Sequence, residues 1–394
     1  MPSNIYVHPG NFGANTGKFS APAGPRGPRG PAGPRGPAGP KGNVGASGTV
    51  RVTLSTMQDL YLAGGPGGLY YSSNTSNWTR NFNANIGIIN SLAYGNNMWV
   101  AVGANEGPTV HVSKDGYNWI PSSNGGFAGA CYGVAYGDNK WVAVGTPDGN
   151  GQSSIQISTD GHTWRPCSNG GFSFGNYPGG VAYGSNKWVV VGSGPSSIQV
   201  STDGYNWTPS SNGGFSTNNY GYGVAYGSNN WVAVGDEPSS IQVSTDGYNW
   251  TNALTEGTPV SYKGVAYGSE LWVALGTAYS DSNNIQISQD GSNWYYAVNG
   301  KFEYYGTGVV YGSNRWVTVG EGSNSIQVSR DGNFWSSKNV FPSTDFNCVA
   351  YGKGQIITKV STGTININVL NDIPVVNLQE MYRQWVSFGG NFND

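Results

Sequence analysis

Tyrosines and carboxylates stand at a few irregular points of a sequence that is otherwise strongly repetitive. The tyrosines are Tyr177, Tyr220, Tyr222, Tyr304 and Tyr305, and the carboxylates are Asp236, Glu237 and Glu321. An aromatic ring can stack on the apolar face of a sugar, and a carboxylate accepts hydrogen bonds from sugar hydroxyls. These eight residues are the candidate ligand-binding residues, and the chemistry they favour is that of a glycan.

Phenylalanines in neighbouring positions have two interpretations. Phe127, Phe172 and Phe215 recur in register within NGGF segments. Because they recur at the same place in successive units, we interpret these phenylalanines as packing residues between units rather than as ligand-binding residues. The tyrosines break the repeat and are the better binding candidates.

A pair of carboxylates can also hydrolyse a glycosidic bond when the two groups lie close together. Asp236 and Glu237, with Glu321 or Asp148, could supply such a pair. Loop acids are more often solvated, so we expect no catalytic residues and no enzyme activity, with glycan cleavage as the less favoured alternative. The three histidines lack the spacing of metal ligands, so no metal is expected: His8, His111 and His162. No cofactor is expected either.

These residues interrupt a unit of about 43 residues whose clearest copy is GVAYGSNKWVVVGSGPSSIQVSTDGYNW. Ser-x-Asp-Gly-x-x-Trp occurs six times, and a decayed copy ends at Trp78. The tryptophans that end these copies are 41, 45, 43, 43, 44 and 41 residues apart. A period of this length with four short β-type runs predicts the blades of a β-propeller.

Each unit reads as four strands. GVAY predicts strand A, WVAVG strand B and SIQVS strand C, and an Asp-Gly turn leads into strand D at the tryptophan. In a propeller, the A–B and C–D turns lie on one face, and the B–C and D–A loops lie on the other. The candidate tyrosines fall in D–A loops and the candidate carboxylates in B–C loops, so we expect them to share a face.

The motif Ser-x-Asp-Gly-x-x-Trp resembles the Asp-box of BNR-type propellers, with one residue fewer between Asp and Gly. The resemblance covers about residues 55–365. It implies that the aspartate accepts backbone N–H bonds in the C–D hairpin, that glycine has a positive φ, and that the aromatic residue packs between strands. The aspartates given this structural role are Asp115, Asp160, Asp203, Asp246, Asp290 and Asp331.

Sialidases belong to the same propeller group, but this chain departs from their catalytic pattern. Those enzymes need three arginines, a Tyr–Glu nucleophile pair and an acid. Arg165 follows a motif tryptophan and Arg330 lies inside a motif, so neither suits a central arginine triad. No Phe-Arg-Ile-Pro-like segment is present.

The two ends of the repeat region predict how the ring closes. Residues 60–83 supply the C and D strands of a decayed copy after the B-like LYLAGG, and residues 347–367 are predicted to supply the A and B strands, with a C strand as a further option. Joining them in one blade gives an all-β, seven-bladed propeller without exposed edges, with six or eight blades as lesser options. The sequence leaves open which end contributes each strand.

Eight unbroken Gly-X-Y triplets precede the propeller. Only glycine fits at the crowded axis of three wound polyproline-type chains, so the pattern predicts a collagen-like homotrimer, with a disordered linker as the alternative. We expect an N-terminal attachment arm over 1–23, this stalk over 24–48, a propeller head over 49–367, and over 368–394 an extension packed on the propeller or a neighbouring subunit. The trimerisation glycines are Gly24, Gly27, Gly30, Gly33, Gly36, Gly39, Gly42 and Gly45.

Charge and composition narrow the function classes. Residues 1–51 hold six basic residues and no acid, and the remainder carries a net charge of −8, which disfavours nucleic-acid binding. No apolar run has the length of a membrane helix or a signal peptide. We therefore expect no insertion into a membrane, and we expect the chain to be made in a host cytoplasm.

An N-terminal arm, a trimeric rod and a large β head together resemble a viral or bacteriophage fibre. That resemblance implies attachment of residues 1–20 to a capsid or tail protein, a place on the virion surface, and contact of the head with host-surface polysaccharide. The alternative is a structural capsid or tail decoration or connector protein without a ligand. The sequence identifies neither the host nor the sugar.

Overall fold

The computed structural model describes residues 5–7, 47–82, 84–104, 107–124, 126–127, 129–147, 153–173, 175–216, 218–257, 260–277, 283–338 and 344–366, with side chains over the described part of 57–354. The chain forms two compact units. One is Met57–Ile356, and the other combines Met1–Thr56 with Ile357–Asp394. The collagen-like triplets with their eight glycines and the C-terminal extension 368–394 lie outside the described residues, as does the arm apart from residues 5–7.

All described elements are β-strands, and most of them form a seven-bladed propeller of four-stranded blades. In the smaller unit, β1 (Ile5–Val7) pairs antiparallel with the start of β2 (Ser47–Gly65), with Ile5 opposite Leu54. The blade that closes the ring contains β2, β3 (Gly68–Ser72), β4 (Thr79–Arg80) and β30 (Cys348–Asn366).

The other six blades each run through strands A to D without interruption. Blade 1 consists of β5 (Ile88–Gly95), β6 (Met98–Ala104), β7 (Val110–Ser113) and β8 (Ile120–Pro121). Blade 2 consists of β9 (Cys131–Gly137), β10 (Lys140–Gly145), β11 (Ile155–Ser158) and β12 (Arg165–Pro166). Blade 3 consists of β13 (Pro178–Gly184), β14 (Lys187–Gly192), β15 (Ile198–Ser201) and β16 (Thr208–Pro209). Blade 4 consists of β17 (Gly221–Gly227), β18 (Asn230–Gly235), β19 (Ile241–Ser244) and β20 (Thr251–Asn252).

Blade 5 gains a fifth strand. It consists of β21 (Leu254–Thr255), β22 (Tyr262–Gly268), β23 (Leu271–Gly276), β24 (Ile285–Ser288) and β25 (Asn293–Tyr296), and β21 pairs parallel with β25. Blade 6 consists of β26 (Gly306–Gly312), β27 (Arg315–Gly320), β28 (Ile326–Ser329) and β29 (Trp335–Lys338).

The seventh blade combines both ends of the repeat region. β30 is its strand A and pairs with β2, its strand B, while β3 and β4 are strands C and D. Tyr61 of β2 takes the place that tryptophan has in the other B strands, and its ring lies 4.9 Å from the Tyr351 ring. LYLAGG is therefore the B strand of this blade, and the open question of strand sharing is answered in favour of the N-terminal segment.

The core is divided into seven hydrophobic clusters, each between two neighbouring blades. The B-strand tryptophans are fully buried, because a blade in a closed ring is covered on both faces: Trp99, Trp141, Trp188, Trp231, Trp272 and Trp316. The polar residue of SIQVS is also buried. Gln199, for example, donates to Gly171 O at 2.8 Å and accepts from Gly171 N at 2.9 Å, which ties strand C to a D–A loop.

The Ser-x-Asp-Gly-x-x-Trp segments form self-contained C–D turns. Asp203 Oδ1 accepts the N–H groups of Tyr205 (2.7 Å) and Asn206 (2.8 Å), Gly204 has φ +82°, and Trp207 Nε1 donates to Gly204 O at 2.9 Å. Burial raises the pKa of Asp203, but the hydrogen bonds outweigh it and lower that pKa to about 2. The same acceptor geometry holds at Asp115, Asp160, Asp246, Asp290 and Asp331.

A ring of tyrosines and glycines spaces the blades around the axis. A Cβ on Gly227 would lie 2.2 Å from Cγ of Tyr267 in the next blade. The contact recurs at 2.1–2.4 Å around the whole ring, in the pairs Gly95–Tyr136, Gly137–Tyr183, Gly184–Tyr226, Gly268–Tyr311, Gly312–Tyr351 and Gly352–Tyr94. Glycine is required here by close approach, and the tyrosine ring fills the space that a side chain would occupy.

Asp59 holds the ends of the ring together. Its Oδ1 accepts hydrogen bonds from the Tyr351 hydroxyl (2.5 Å) and from Lys353 Nζ, and its Oδ2 accepts from Ser313 Oγ of blade 6 (2.7 Å). Burial raises the pKa of Asp59, but hydrogen bonds from these partners outweigh it and lower the pKa to about 2. These contacts join residues more than 250 positions apart.

We expect Gly227→Ala to destabilise the propeller by about 2 kcal/mol, because the added methyl group overpacks against Tyr267. Thermal and urea unfolding of the full chain measure the loss. Gly107→Ala is the matched control, since a Cβ there meets nothing within 4 Å. Equal midpoints for the two variants would contradict the spacing role of the Tyr–Gly ring.

We expect Asp59→Asn to lower stability by about 1 kcal/mol at pH 7, a modest value because Asp59 is one-third exposed. A carboxylate with a lowered folded-state pKa stabilises above its unfolded pKa of 3.8, and that contribution is lost as the pH falls towards 2. The difference in thermal midpoint between wild type and variant should therefore shrink from pH 5 to pH 2. Asp138→Asn, which removes an ion pair within one turn, is the control.

Candidate functional site

One position of strand A carries the variable chemistry of the propeller. It lies four residues before the A-strand tyrosine, at the end of the strand remote from the Asp-Gly turns. A register shift with strand B falls at this position in blades 1 to 6. The seven residues, all half-buried, are Asn90, Tyr132, Gly179, Tyr222, Lys263, Thr307 and Asn347. We call them the bulge ring.

One side of the bulge ring is closed by hydrogen bonds to the backbone. Thr307 Oγ1 donates to Phe346 O at 2.6 Å, Asn347 Nδ2 to Ile89 O at 3.0 Å, and Asn90 Nδ2 to Cys131 O at 3.0 Å. Each bond crosses from one blade to the next. These side chains join blades 6, 7, 1 and 2 and have a structural role.

Blades 4 and 5 use the same position differently. The Tyr222 hydroxyl donates to Asp236 Oδ2 at 3.2 Å, and the same oxygen accepts Tyr220 N–H at 3.1 Å. The Tyr220 and Tyr222 rings are stacked, with centroids 6.1 Å apart and planes 21° apart. Lys263 Nζ lies 3.3 Å from the centroid of the Tyr222 ring, in a cation–π contact.

Tyr220 is 37% exposed, so the stack ends in an aromatic surface open to solvent. Its position is fixed from two sides, because Asp236 N–H also donates to Tyr220 O at 2.8 Å. The candidate residues Tyr220, Tyr222 and Asp236 are therefore brought together, as their shared face predicts.

Blade 6 adds a second group of candidate residues. Tyr305 is hydrogen bonded through its side chain to Glu321, and Glu321 N–H donates to Tyr305 O at 2.9 Å. Tyr304, beside it, is 57% exposed. The hydrogen bond to Glu321, followed by burial, raises the pKa of Tyr305 to about 12.

Lys263 connects the two groups electrostatically. Burial lowers the pKa of its ammonium group, and the negative charges of Asp236 and Glu321 act in the opposite direction. Burial and the Asp236 carboxylate raise the pKa of Tyr222. The group combines phenol hydroxyls, one amine and two carboxylates that already accept hydrogen bonds. The arrangement can bind a polar ligand with an apolar face.

The remaining candidates lie elsewhere or have other roles. Tyr177 is 36% exposed in blade 3, where its ring meets Tyr132 edge-on at 6.4 Å. Glu237 contributes its carbonyl oxygen as the acceptor for Asn219 Nδ2. Phe127, Phe172 and Phe215 are buried in the clusters between blades, which is the packing role. Asp148 lies outside the described residues.

Sequence reasoning missed Lys263, although it contacts Tyr222 and is near both carboxylates. The available signal was its position, four residues before Tyr267, which matches that of Tyr222 before Tyr226. Aligning this one column of the repeat would have placed Lys263 beside the candidate tyrosines.

A separate depression of about 400 Å³ lies at the C–D turn of blade 5, on the opposite face. Its lining includes Leu271, Asp290, Asn293 and Tyr295. Both Asp290 oxygens are occupied by the turn itself, through Ser292 N–H and Asn293 N–H on Oδ1 and the Asn293 amide on Oδ2. The bulge-ring face is therefore the better candidate for the functional site.

Within the described ranges, no group of three or more His, Cys, Asp or Glu side chains is arranged to hold a metal ion. No helix in the described part of the chain is long and apolar enough to cross a membrane.

Comparison with known proteins supports the fold. No family model and no curated protein matches this chain. Among solved structures, a Lactobacillus plantarum protein from a structural-genomics programme is 10% identical, with 75% of this chain and 99% of that one covered and a TM-score of 0.54. The computationally designed protein Ika8 is 14% identical, with 80% and 93% covered and a TM-score of 0.51.

A third solved structure, YCF48 from Cyanidioschyzon merolae, is 15% identical, with 68% of this chain and 92% of that chain covered and a TM-score of 0.47. At these identities the first two similarities establish the β-propeller fold, and the third carries no argument.

The hydrogen bond between Tyr305 and Glu321 in blade 6 predicts how the ionisation of Tyr305 responds to a substitution. In Glu321→Gln the acceptor loses its charge, so the pKa of Tyr305 should fall from about 12 towards the ordinary value of 10. Ultraviolet difference spectra between pH 9 and 12 should show one tyrosine ionising at lower pH than in the wild type. Glu237→Gln, a neighbouring loop carboxylate, should leave the curve unchanged, and an unchanged curve for Glu321→Gln would contradict the bond.

Proposed function

We propose that the propeller is the glycan-binding head of a trimeric virion fibre or spike. The observation that carries this proposal is the stack of Tyr220 on Tyr222, with the Tyr222 hydroxyl fixed on Asp236 and Lys263 on the ring of Tyr222. This group presents an exposed aromatic face with fixed polar atoms beside it. Sugars are the ligand class that needs both, because their rings have one apolar face and a rim of hydroxyls.

Preorganisation supports binding at this surface. The tyrosine stack, Asp236 and Lys263 are held by contacts with one another, so little side-chain freedom is lost when a ligand docks. Tyr304 of blade 6 is a second exposed tyrosine, next in sequence to Tyr305, which is bonded to Glu321. A glycan chain of several sugars could contact both groups.

Binding without cleavage is the activity we propose. A retaining or inverting glycosidase needs one carboxylic acid and one free carboxylate at a fixed separation. Here Asp236 accepts from Tyr222 and Tyr220, and Glu321 is bonded to Tyr305. These bonds favour an orienting role for both groups.

The assembly around the head is part of the proposal. The Gly-X-Y triplets would join three chains, residues 1–20 would attach the trimer to a capsid or tail protein, and three heads would bind one host-cell surface by avidity. The protein would act on the virion surface without cofactor, nucleic acid or membrane insertion. The hairpin geometry supports assigning the repeat to the Asp-box (BNR-like) class.

Binding of the full-length protein to a glycan panel and to host cells tests the proposal. Tyr220→Ala and Tyr304→Ala should each weaken binding at least tenfold, while Tyr295→Ala, which removes a 61% exposed tyrosine from blade 5, should have no effect. Free sugar is assayed in the same wells, and its release would establish an enzyme.

Full-length protein with Gly33→Ser and Gly36→Ser tests the stalk, because interrupting the triplets should disrupt the trimer and reduce avidity. Absence of binding across a panel that includes the host's own polysaccharide would overturn the proposal in favour of a structural virion protein.

A further inference from the structure

Asp236 and Glu321 together carry more negative charge than the single side chain of Lys263 can offset. Its side-chain nitrogen lies on the face of Tyr222, whose hydroxyl donates to Asp236. Burial lowers the pKa of Lys263, and the Asp236 and Glu321 charges oppose that effect. The charges of two carboxylates therefore act on the single amine of Lys263 in the candidate site. The local sum is one net negative charge.

Further carboxylates lie beside Glu321. Glu303 Oε2 accepts Ser323 N–H at 2.8 Å, and Asp345 Oδ1 accepts Gly322 N–H at 3.1 Å, so both are fixed at the loop that follows Glu321. The Asp345 and Glu321 charges both act on the Tyr305 hydroxyl. The surroundings of Glu321 are therefore rich in carboxylates.

We infer that this site takes uncharged sugars and rejects acidic ones, with Glu321 as the residue that excludes them. This inference deepens the proposed function and rests on it. An acidic sugar would bring its carboxylate towards Lys263, whose charge Asp236 and Glu321 already offset. Placing like charges together at an interface is a general means of excluding wrong ligands.

The chemistry of the site explains how a neutral sugar is favoured. Asp236 and Glu321 can accept hydrogen bonds from sugar hydroxyls, and Lys263 can donate to ring or acetamido oxygens. None of these bonds needs a charge on the ligand. The stacked tyrosines supply apolar contact to any pyranose, so discrimination comes from the charged groups.

Matched glycan pairs test the inference on the full-length trimer. The probes are glucan oligomers with their C6-oxidised glucuronate forms, and lactosamine with sialyl-lactosamine, added to the panel described above. Every neutral glycan that binds should do so at least tenfold more tightly than its acidic counterpart, which corresponds to about 1.4 kcal/mol. The ratio should decrease from 20 mM to 500 mM salt, because the charges are partly solvent-exposed.

Glu321→Gln keeps the size and one acceptor oxygen of the side chain and removes the charge. It should raise affinity for acidic probes about tenfold and lower the ratio of neutral to acidic affinity at least tenfold. Glu270→Gln, on the opposite face, is the control for total charge and should shift neither. Equal thermal midpoints establish that the variants are folded.

The outcomes separate this inference from the proposal beneath it. Equal or tighter binding of acidic probes by wild type, or no gain in Glu321→Gln, would overturn the charge selection while glycan binding stands. No binding to any glycan would overturn the proposed function, and the charge selection with it.

Discussion

The contact between each A-strand tyrosine and the glycine of the preceding blade is the constraint on which the propeller depends. A Cβ at any of these glycines would lie within 2.4 Å of a tyrosine atom. The tyrosine is held in turn by the next tryptophan, with ring centroids 4.8–5.0 Å apart and planes 53–54° apart in six blades. Because both partners recur in every unit, one local rule fixes the spacing of all seven blades and buries the B strands between them.

The sequence predicted this architecture because its repeat is the structural unit. A fixed period with four β-type runs leaves few alternatives to a propeller, and the Asp-Gly turns mark where each C–D hairpin bends. Strand sharing in the closing blade could not be predicted in the same way. LYLAGG and QIITKV both suit a B strand, and the choice depends on contacts such as Asp59 with Tyr351, 292 residues apart, and Tyr61 with Gly312, 251 residues apart. Local pattern holds no information on such pairs.

The candidate site, like the fold, was predictable from the sequence only in part. Departure from the repeat identified Tyr220, Tyr222 and Asp236, because a residue that breaks a structural pattern is free of the packing role. Lys263 does not stand out in this way, since a single lysine in a loop-proximal strand is ordinarily solvated. Its importance depends on the approach of blade 5 to blade 4, which places the ammonium group on the Tyr222 ring. A contact between two repeats is visible only when the angle between blades is known.

The bulge ring shows how one position can serve both structure and recognition. In blades 6, 7 and 1, short polar side chains at this position bond to the backbone of the next blade, which strengthens ring closure where the two chain ends meet. In blades 4 and 5, remote from that junction, the same position carries Tyr222 and Lys263, whose polar atoms engage side chains. The register shift moves this residue out of the ladder with strand B, so its side chain can change without loss of a strand pair. The seven bulge-ring positions give the fold a variable surface on an invariant frame, because the Tyr–Gly ring that spaces the blades lies at the other end of strand A.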